Sequence, residues 1–196
     1  MQTISIIGAG LSGTLLAINL LQKDCKYPVK IRIIERGHSG SLGPAYSTNE
    51  DYLLNVPVEI MGCTSQEPAH FLKWISEKKI KANAGDYMPR KLYRQYIHTM
   101  LNKALRQKDK NTHFERIEDE ILDIDIEDGR GWKLVSDKNN FYTDILVLAL
   151  GNSAPKHPRI KNQSFLNNPR YIRNPWHPDI FKNLNKDDHI LFIGSG

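Results

Sequence analysis

The apolar positions along the chain change period several times. Thr3 to Ile7 is a short run of apolar character that ends at Gly8. From Leu11 to Lys23 the apolar residues Leu15, Leu16, Ile18, Leu20 and Leu21 predict a helix, closed by a polar turn around Lys23 to Pro28. Val29 to Glu35 (VKIRIIE) is β-branched and ends in an acid, which predicts a second strand. Strand, glycine turn, helix and strand make a βαβ unit, with parallel strands and a right-handed crossover. Gly37 to Gly43 (GHSGSLG) predicts a loop. Two further helices are predicted over Glu67 to Lys79, with Phe71, Leu72 and Ile75 on one side, and over Lys91 to Gln107, with Tyr93, Ile97, Met100, Leu101 and Ala104 at helical spacing. They form a helical insertion, about 64–110, packed beside the sheet.

Between Phe114 and Leu150 the period falls to two. Ile117, Ile121, Ile124 and Ile126 lie in strand-like sequence, Asp128 to Gly131 signals a turn, and Trp132 to Ser136 returns. With a second turn at Asp137 to Asn140, this predicts an antiparallel β-meander over about 114–143. Phe141 to Leu150 then becomes continuously apolar at ILVLAL, the pattern of a buried central strand. From Asn152 the chain turns proline-rich through Pro155, Pro158, Pro169, Pro175 and Pro178, as a connecting segment does. The last stretch, His189 to Gly196 (HILFIGSG), repeats the opening pattern of strand followed by Gly-x-Gly.

The leading chemical signal is Gly8-Ala9-Gly10-Leu11-Ser12-Gly13, a GxGxxG between a strand and a helix. In this pattern the first glycine makes the tight turn, the second lets backbone approach a pyrophosphate, and the third lets the helix pack closely on the strand. The helix N-terminus offers free N–H groups and a partial positive charge to phosphate. Glu35, 27 residues after Gly8, can accept ribose hydroxyls; that spacing exceeds the roughly 20 of the basic fingerprint, and the Lys23 to Pro28 turn accommodates the difference. Arg36 could pair with a 2′-phosphate, but the adjacent Glu35 would repel it, which favours the unphosphorylated adenosine ribose of FAD or NAD. The fold class is therefore α/β and Rossmann-like.

Several longer blocks extend this picture: IIGAGLSG, the acid-ended IRIIER, LGPAYSTNEDYLLNVP, HFLKWI, MPRKLYRQYI, VLALGN and the NPWHPDI…ILFIGSG end. In these the chain resembles the bacterial FAD-NAD(P)-binding family, relatives of flavin-containing and N-hydroxylating monooxygenases, across essentially its whole length. The resemblance implies FAD as the cofactor, with Gly43 to Tyr46 and Asn55 near its flavin side. It also implies that Gly151 marks where the chain passes the cofactor and that Ile121 offers backbone to the adenine. VLALGN departs from the family's Ala-Thr-Gly by Leu150, which lacks the threonine hydroxyl. The resemblance further implies a first domain over 1–155, with 156–196 a connecting segment and the start of an NAD(P)-binding unit at Ile190. On this expectation the nicotinamide site needs sequence beyond Gly196, and the apolar C-terminal segment favours self-association.

Composition narrows the remaining classes. Hydrophobic residues make up 40% and charged residues 25%, an ordinary globular balance. The formal charge of +5 raises nucleic-acid binding, but the basic residues are scattered and no RNP-like or zinc pattern accompanies them. Ile4 to Leu21 is uncharged, yet no basic residue precedes it and three glycines interrupt it, unlike a signal peptide or membrane span. Cys25 and Cys63 read as small buried hydrophobes in a reducing cytoplasm. The seven histidines show no metal-binding spacing, and no nucleophile elbow or Walker motif occurs. Trp74, Trp132 and Trp176 read as packing residues. Arg90 and Lys91 either face phosphate or an acidic substrate or form a solvated helix start. The reading is the FAD-binding portion of a flavoprotein oxidoreductase, passing electrons from NAD(P)H through flavin to O₂ or a substrate. Its alternative is a non-catalytic FAD/NAD-binding module.

Overall fold

A computed structural model describes residues 1–37, 42–47, 52–129, 131–153, 155–174, 180, 182 and 184–193. The chain divides into two units, Met1–Gly151 and Asn152–Gly196. In the first, β1 (Gln2–Ile7), α1 (Leu11–Leu21) and β2 (Val29–Glu35) form the βαβ unit. They are followed by α2 (Pro44–Ser47), α3 (His70–Glu77) and α4 (Arg90–Gln107). Then come β3 (Thr112–Glu118), β4 (Ile121–Glu127), β5 (Gly131–Ser136), β6 (Asn140–Thr143) and β7 (Ile145–Leu148). A four-stranded sheet runs β3-β2-β1-β7, and its three pairings are all parallel. A three-stranded antiparallel sheet runs β4-β5-β6. The predicted α/β class with a parallel sheet and an antiparallel one is what forms.

The parallel sheet is covered on both faces, as parallel sheets generally are. Ile6, Ile31 and Ile33 share one apolar cluster with Ala17, Ile18 and Leu21 of α1 and with Ile97, Leu101 and Ala104 of α4. On the other face Arg32 lies 5.1 Å from the ring centre of Phe141 on β6, and the Thr143 hydroxyl donates to the Thr3 carbonyl at 2.9 Å. Arg32 is also paired with Glu115 on β3.

Three elements of the first unit differ from the pattern-based expectation. Thr112–Glu118 pairs with β2 in parallel, so only β4 to β6 form the meander; period-two alternation does not distinguish the two sheets. β7 is an edge strand of the parallel sheet, with Ile145 41% and Leu148 54% exposed, because β1 occupies one side and no described strand occupies the other. The helix predicted from Glu67 begins only at His70, since the Pro68 carbonyl is taken by the Gly62 N–H at 2.7 Å. That helix ends before Lys79, whose left-handed φ of 58° breaks it. Cys63 is buried but Cys25 is only half-buried, and both are free thiols. Trp74 is buried in the core and Trp132 is half-buried, while Trp176 falls outside the described residues.

In the second unit, Ser164–Asn167 forms a 3₁₀ turn, and Phe165 meets Tyr171 edge to face at 4.8 Å. The strand expected over His189 to Ile193 does not form: Ile190 to Ile193 carry no strand pairing among the described residues, and Leu191 is 85% exposed. A strand needs a neighbour to supply its ladder, and apolar pattern alone does not provide one. Gly194 and Gly196, like Pro175 and Pro178, lie outside the described residues. No helix of the described residues is long and apolar enough to cross a membrane.

The connection from β3 to β4 is held by Asp119. Its backbone N–H donates to the Glu35 carbonyl at 3.0 Å, and its buried carboxylate accepts from the Ser136 hydroxyl at 2.6 Å and from the Glu120 N–H at 2.9 Å. The bond from Ser136, helped by the Glu120 N–H, holds this carboxyl below the usual aspartate range. Its folded pKa is depressed, so its contribution is present above the unfolded value of about 3.9 and is lost as pH falls through the folded value. Urea unfolding at stepped pH from 6 to 2 should show wild type losing stability below about pH 4 more steeply than Asp119→Asn. Equal acid slopes for the two proteins would remove Asp119 as the source.

Candidate functional site

The predicted glycine motif lies at the carboxyl end of β1, the edge where ligands bind in open α/β sheets. Gly8 has φ +106°, and a Cβ there would stand 2.2 Å from the Ala149 carbonyl oxygen just beyond β7. At Gly13 a Cβ would lie 2.0 Å from the Gly8 carbonyl oxygen. Both glycines are therefore demanded by the fold itself.

Gly10 behaves differently. It caps α1 at φ −62°, ψ −177°, a conformation open to any residue, and a Cβ there would meet only the Leu42 carbonyl oxygen, at 4.0 Å. Nothing among the described residues requires glycine at this position, at the start of a helix. Ala9 and Leu11 flank it. The Leu11 N–H donates to Leu42 at 3.2 Å, whereas the N–H groups of Ser12 and Gly13 have no partner among the described residues. These are first-turn donors, the kind that bind anions. The Thr14 hydroxyl steadies the loop by donating to the buried Ala9 carbonyl at 3.1 Å.

Glu35 ends β2 beside this loop, and its Oε2 accepts the Ala9 N–H at 2.7 Å. Its other oxygen has no partner among the described residues and remains available to a hydroxyl donor. Arg36 points elsewhere, forming an exposed ion pair with Glu120 at 3.3 Å. Ile121 follows Glu120 and opens β4, and β3 in turn places Glu118 opposite Glu35. Glu35 and Arg36 thus stand at the end of β2, and Ile121 follows the Glu120 that holds Arg36.

The segment after β2 also reaches the glycine loop. A bridge joins Gly10 to Leu42, and a Cβ on Gly43 would lie 3.9 Å from the Gly10 Cα. Gly43 has φ +83°, and Leu42, buried, is held at φ +55°, an uncommon conformation for leucine. Tyr46 is half-buried, its ring 5.8 Å from Tyr93 and 5.9 Å from the Arg90 guanidinium. Burial raises the Tyr46 pKa, with the Arg90 charge opposing it. Burial likewise pushes the phenols of Tyr93 and Tyr96 far up. Asn55 is exposed, next to buried Leu54, whose N–H donates to Met88 at 2.8 Å. Gly151 is exposed after β7, with φ +70°. No backbone hydrogen bond or bridge joins Asn55, Ile121 or Gly151 to the glycine loop among the described residues.

Leu42, Thr14 and the Arg90 contacts were not apparent as loop supports from sequence. A threonine just after GxGxxG is a signal for the second of these; a left-handed leucine leaves no sequence signal. No cluster of three metal-ligating side chains occurs among the described residues.

A strand-ended glycine turn with an unforced glycine at a helix N-terminus and an acid at the end of the next strand defines a dinucleotide-binding domain. The chain belongs to the FAD-NAD(P)-binding family, whose sequence profile matches residues 5–153. No functionally curated protein matches the chain. Among solved structures it is similar to bacillithiol disulfide reductase from Staphylococcus aureus, at 15% identity and a TM-score of 0.54, covering 87% of this chain and 44% of that one. It is also similar to S-allyl-L-cysteine S-oxygenase from Allium sativum, at 17% identity and a TM-score of 0.46, covering 75% and 36%. The chain thus spans less than half the length of these proteins. The first likeness supports the fold. FAD is the cofactor of the domain.

The two kinds of glycine separate experimentally. Gly13→Ala should destabilise the fold by roughly 1–3 kcal/mol, as overpacking does. Gly10→Val should melt within a few degrees of flavin-free wild type and lose FAD binding. Thermal melts and FAD titration of both variants check this, and undiminished FAD affinity in folded Gly10→Val would remove the pyrophosphate from this loop.

Proposed function

We propose that this chain is the FAD-holding portion of an NAD(P)H-dependent flavoprotein oxidoreductase. The observation that carries the reading is Gly10, a glycine that packing among the described residues does not require, at the point where backbone must approach a pyrophosphate. The flavin supplies the redox chemistry, taking electrons from reduced nicotinamide and passing them to O₂ or an organic substrate. The chain's residues bind and orient. Backbone of Gly8, Ala9, Gly10, Leu11, Ser12 and Gly13 cradles the pyrophosphate, with the unpartnered N–H groups of Ser12 and Gly13 as donors.

Glu35 accepts from the adenosine ribose through its open oxygen, and Ile121 offers backbone to the adenine. Arg36 assists indirectly: held by Glu120, it adds no free cation for a 2′-phosphate, which supports an unphosphorylated ribose. Gly43, Tyr46 and Asn55 bound the flavin side, and Gly151 lets the chain pass the cofactor after β7. A monooxygenase outcome extends this reading by family resemblance, an associational support. Two free cysteines fit a cytoplasmic setting, and exposed Ile190 to Ile193 support self-association of the second unit.

Protein purified from cells should be yellow, with FAD as the cofactor released and identified by mass spectrometry. Glu35→Ala should weaken FAD by roughly 1–3 kcal/mol, the range for hydrogen bonds to a charged group, while leaving the weaker FMN affinity unchanged. Titration of both flavins against both proteins is the measurement; FMN bound as tightly as FAD by the wild type would refute the adenosine role.

A further inference from the structure

Arg90 joins the start of its own helix to two stretches of chain far before it, at Ala45 and at Tyr52 and Leu53. Its own N–H donates to the Tyr52 carbonyl at 2.7 Å, its Nε to the Leu53 carbonyl at 3.0 Å, and its Nη1 to the Ala45 carbonyl at 3.4 Å. The guanidinium also lies over the Tyr46 ring. Its backbone opens α4, whose next turns are fixed in the core by Tyr93, Tyr96 and Ile97. The side chain therefore reaches out from a rigid base and ties together the segments carrying Tyr46 and Asn55.

We propose that Arg90 is a positioning residue for the flavin end of the cofactor. It fixes α2 and the Tyr52–Asn55 segment against the start of α4, so that the flavin side of the site is preformed. The inference rests on the FAD reading above. The guanidinium is suited to this task because its donors diverge in a fixed plane and reach carbonyls on two segments at once. A lysine ammonium carries the same charge at a single point and cannot hold both. If Arg90 instead served as a receptor for an anionic substrate or phosphate, its charge would matter more than its fork, and lysine would largely replace it.

Wild type, Arg90→Lys and Arg90→Ala can be titrated with FAD and with ADP, which carries only the adenosine and pyrophosphate half. Visible circular dichroism of the bound flavin and amide hydrogen exchange around Tyr46 and Leu53 complete the set. Thermal melts establish which variants fold, and Arg90→Lys decides if Arg90→Ala does not. The expected result is that Arg90→Lys loses about tenfold in FAD affinity, the scale of one or two net hydrogen bonds, and changes ADP affinity less than about twofold. The flavin dichroism should change, and amide exchange at both segments should rise even without FAD.

Wild-type FAD affinity in Arg90→Lys, with loss only in Arg90→Ala, would overturn the fork in favour of charge. Equal losses for FAD and ADP would overturn the specific link to the flavin end. A wild-type protein that binds ADP but no more tightly FAD would overturn the FAD reading, and this inference with it.

Discussion

Gly13 approaches the Gly8 carbonyl so closely that a Cβ between them would stand 2.0 Å from the oxygen, and the rest of the first unit follows from that contact. It brings the start of α1 down onto the end of β1. The same turn passes beneath Ala149, where Gly8 in turn admits no side chain. Three chain segments, the ends of β1 and β7 and the start of α1, therefore meet with little more than backbone and the Ala149 methyl between them. Close packing at this corner places the helix N-terminus at the carboxyl edge of the sheet, with the N–H groups of Ser12 and Gly13 unpaired among the described residues. A looser corner would leave the same residues present but misdirect their donors.

Polarity is then distributed along that edge. Glu35 is anchored by the Ala9 N–H, which fixes one oxygen and leaves the other. Asp119 binds the strand end on one side through the Glu35 carbonyl and the small antiparallel sheet on the other through Ser136. Arg36 and Glu120 neutralise one another at the surface. The acid at the end of β2 is thus held by a bond to backbone, while the adjacent Arg36 is paired. Such an arrangement gives direction to a single carboxylate oxygen and keeps the neighbouring arginine from competing for its ligand.

Much of this was legible in the sequence because it depends on local chemistry. β-Branched runs, the spacing of three glycines and an acid at a strand end each follow from short-range constraints, and β1, α1, β2 and the glycine turn form where those signals lie. What was not legible depends on neighbours. ILVL reads as a central strand because both its faces are apolar, but its place at the sheet edge depends on which segments pair with it. Thr112–Glu118 alternates like a meander strand and yet joins the parallel sheet. ILFI near the end has the composition of a strand and no partner among the described residues. The site shows the same division: Gly10 and Glu35 stand out by spacing, whereas Leu42 and the carbonyl-bound Arg90 become apparent only when distant segments are assembled.

The contrast between Gly10 and Gly13 reaches beyond the site into how a cell would handle errors in this chain. Quality control recognises a protein by the fraction of time it is unfolded, and it does not test whether a ligand fits. A side chain at Gly13 disturbs backbone packing and exposes the chain to chaperones and proteases. A side chain at Gly10 meets only the Leu42 carbonyl oxygen among the described residues, at 4.0 Å, so it spares the packing and costs the chain only the stability that bound cofactor adds. One motif therefore contains a position policed through the packing of the chain itself and, three residues away, a position policed through its ligand.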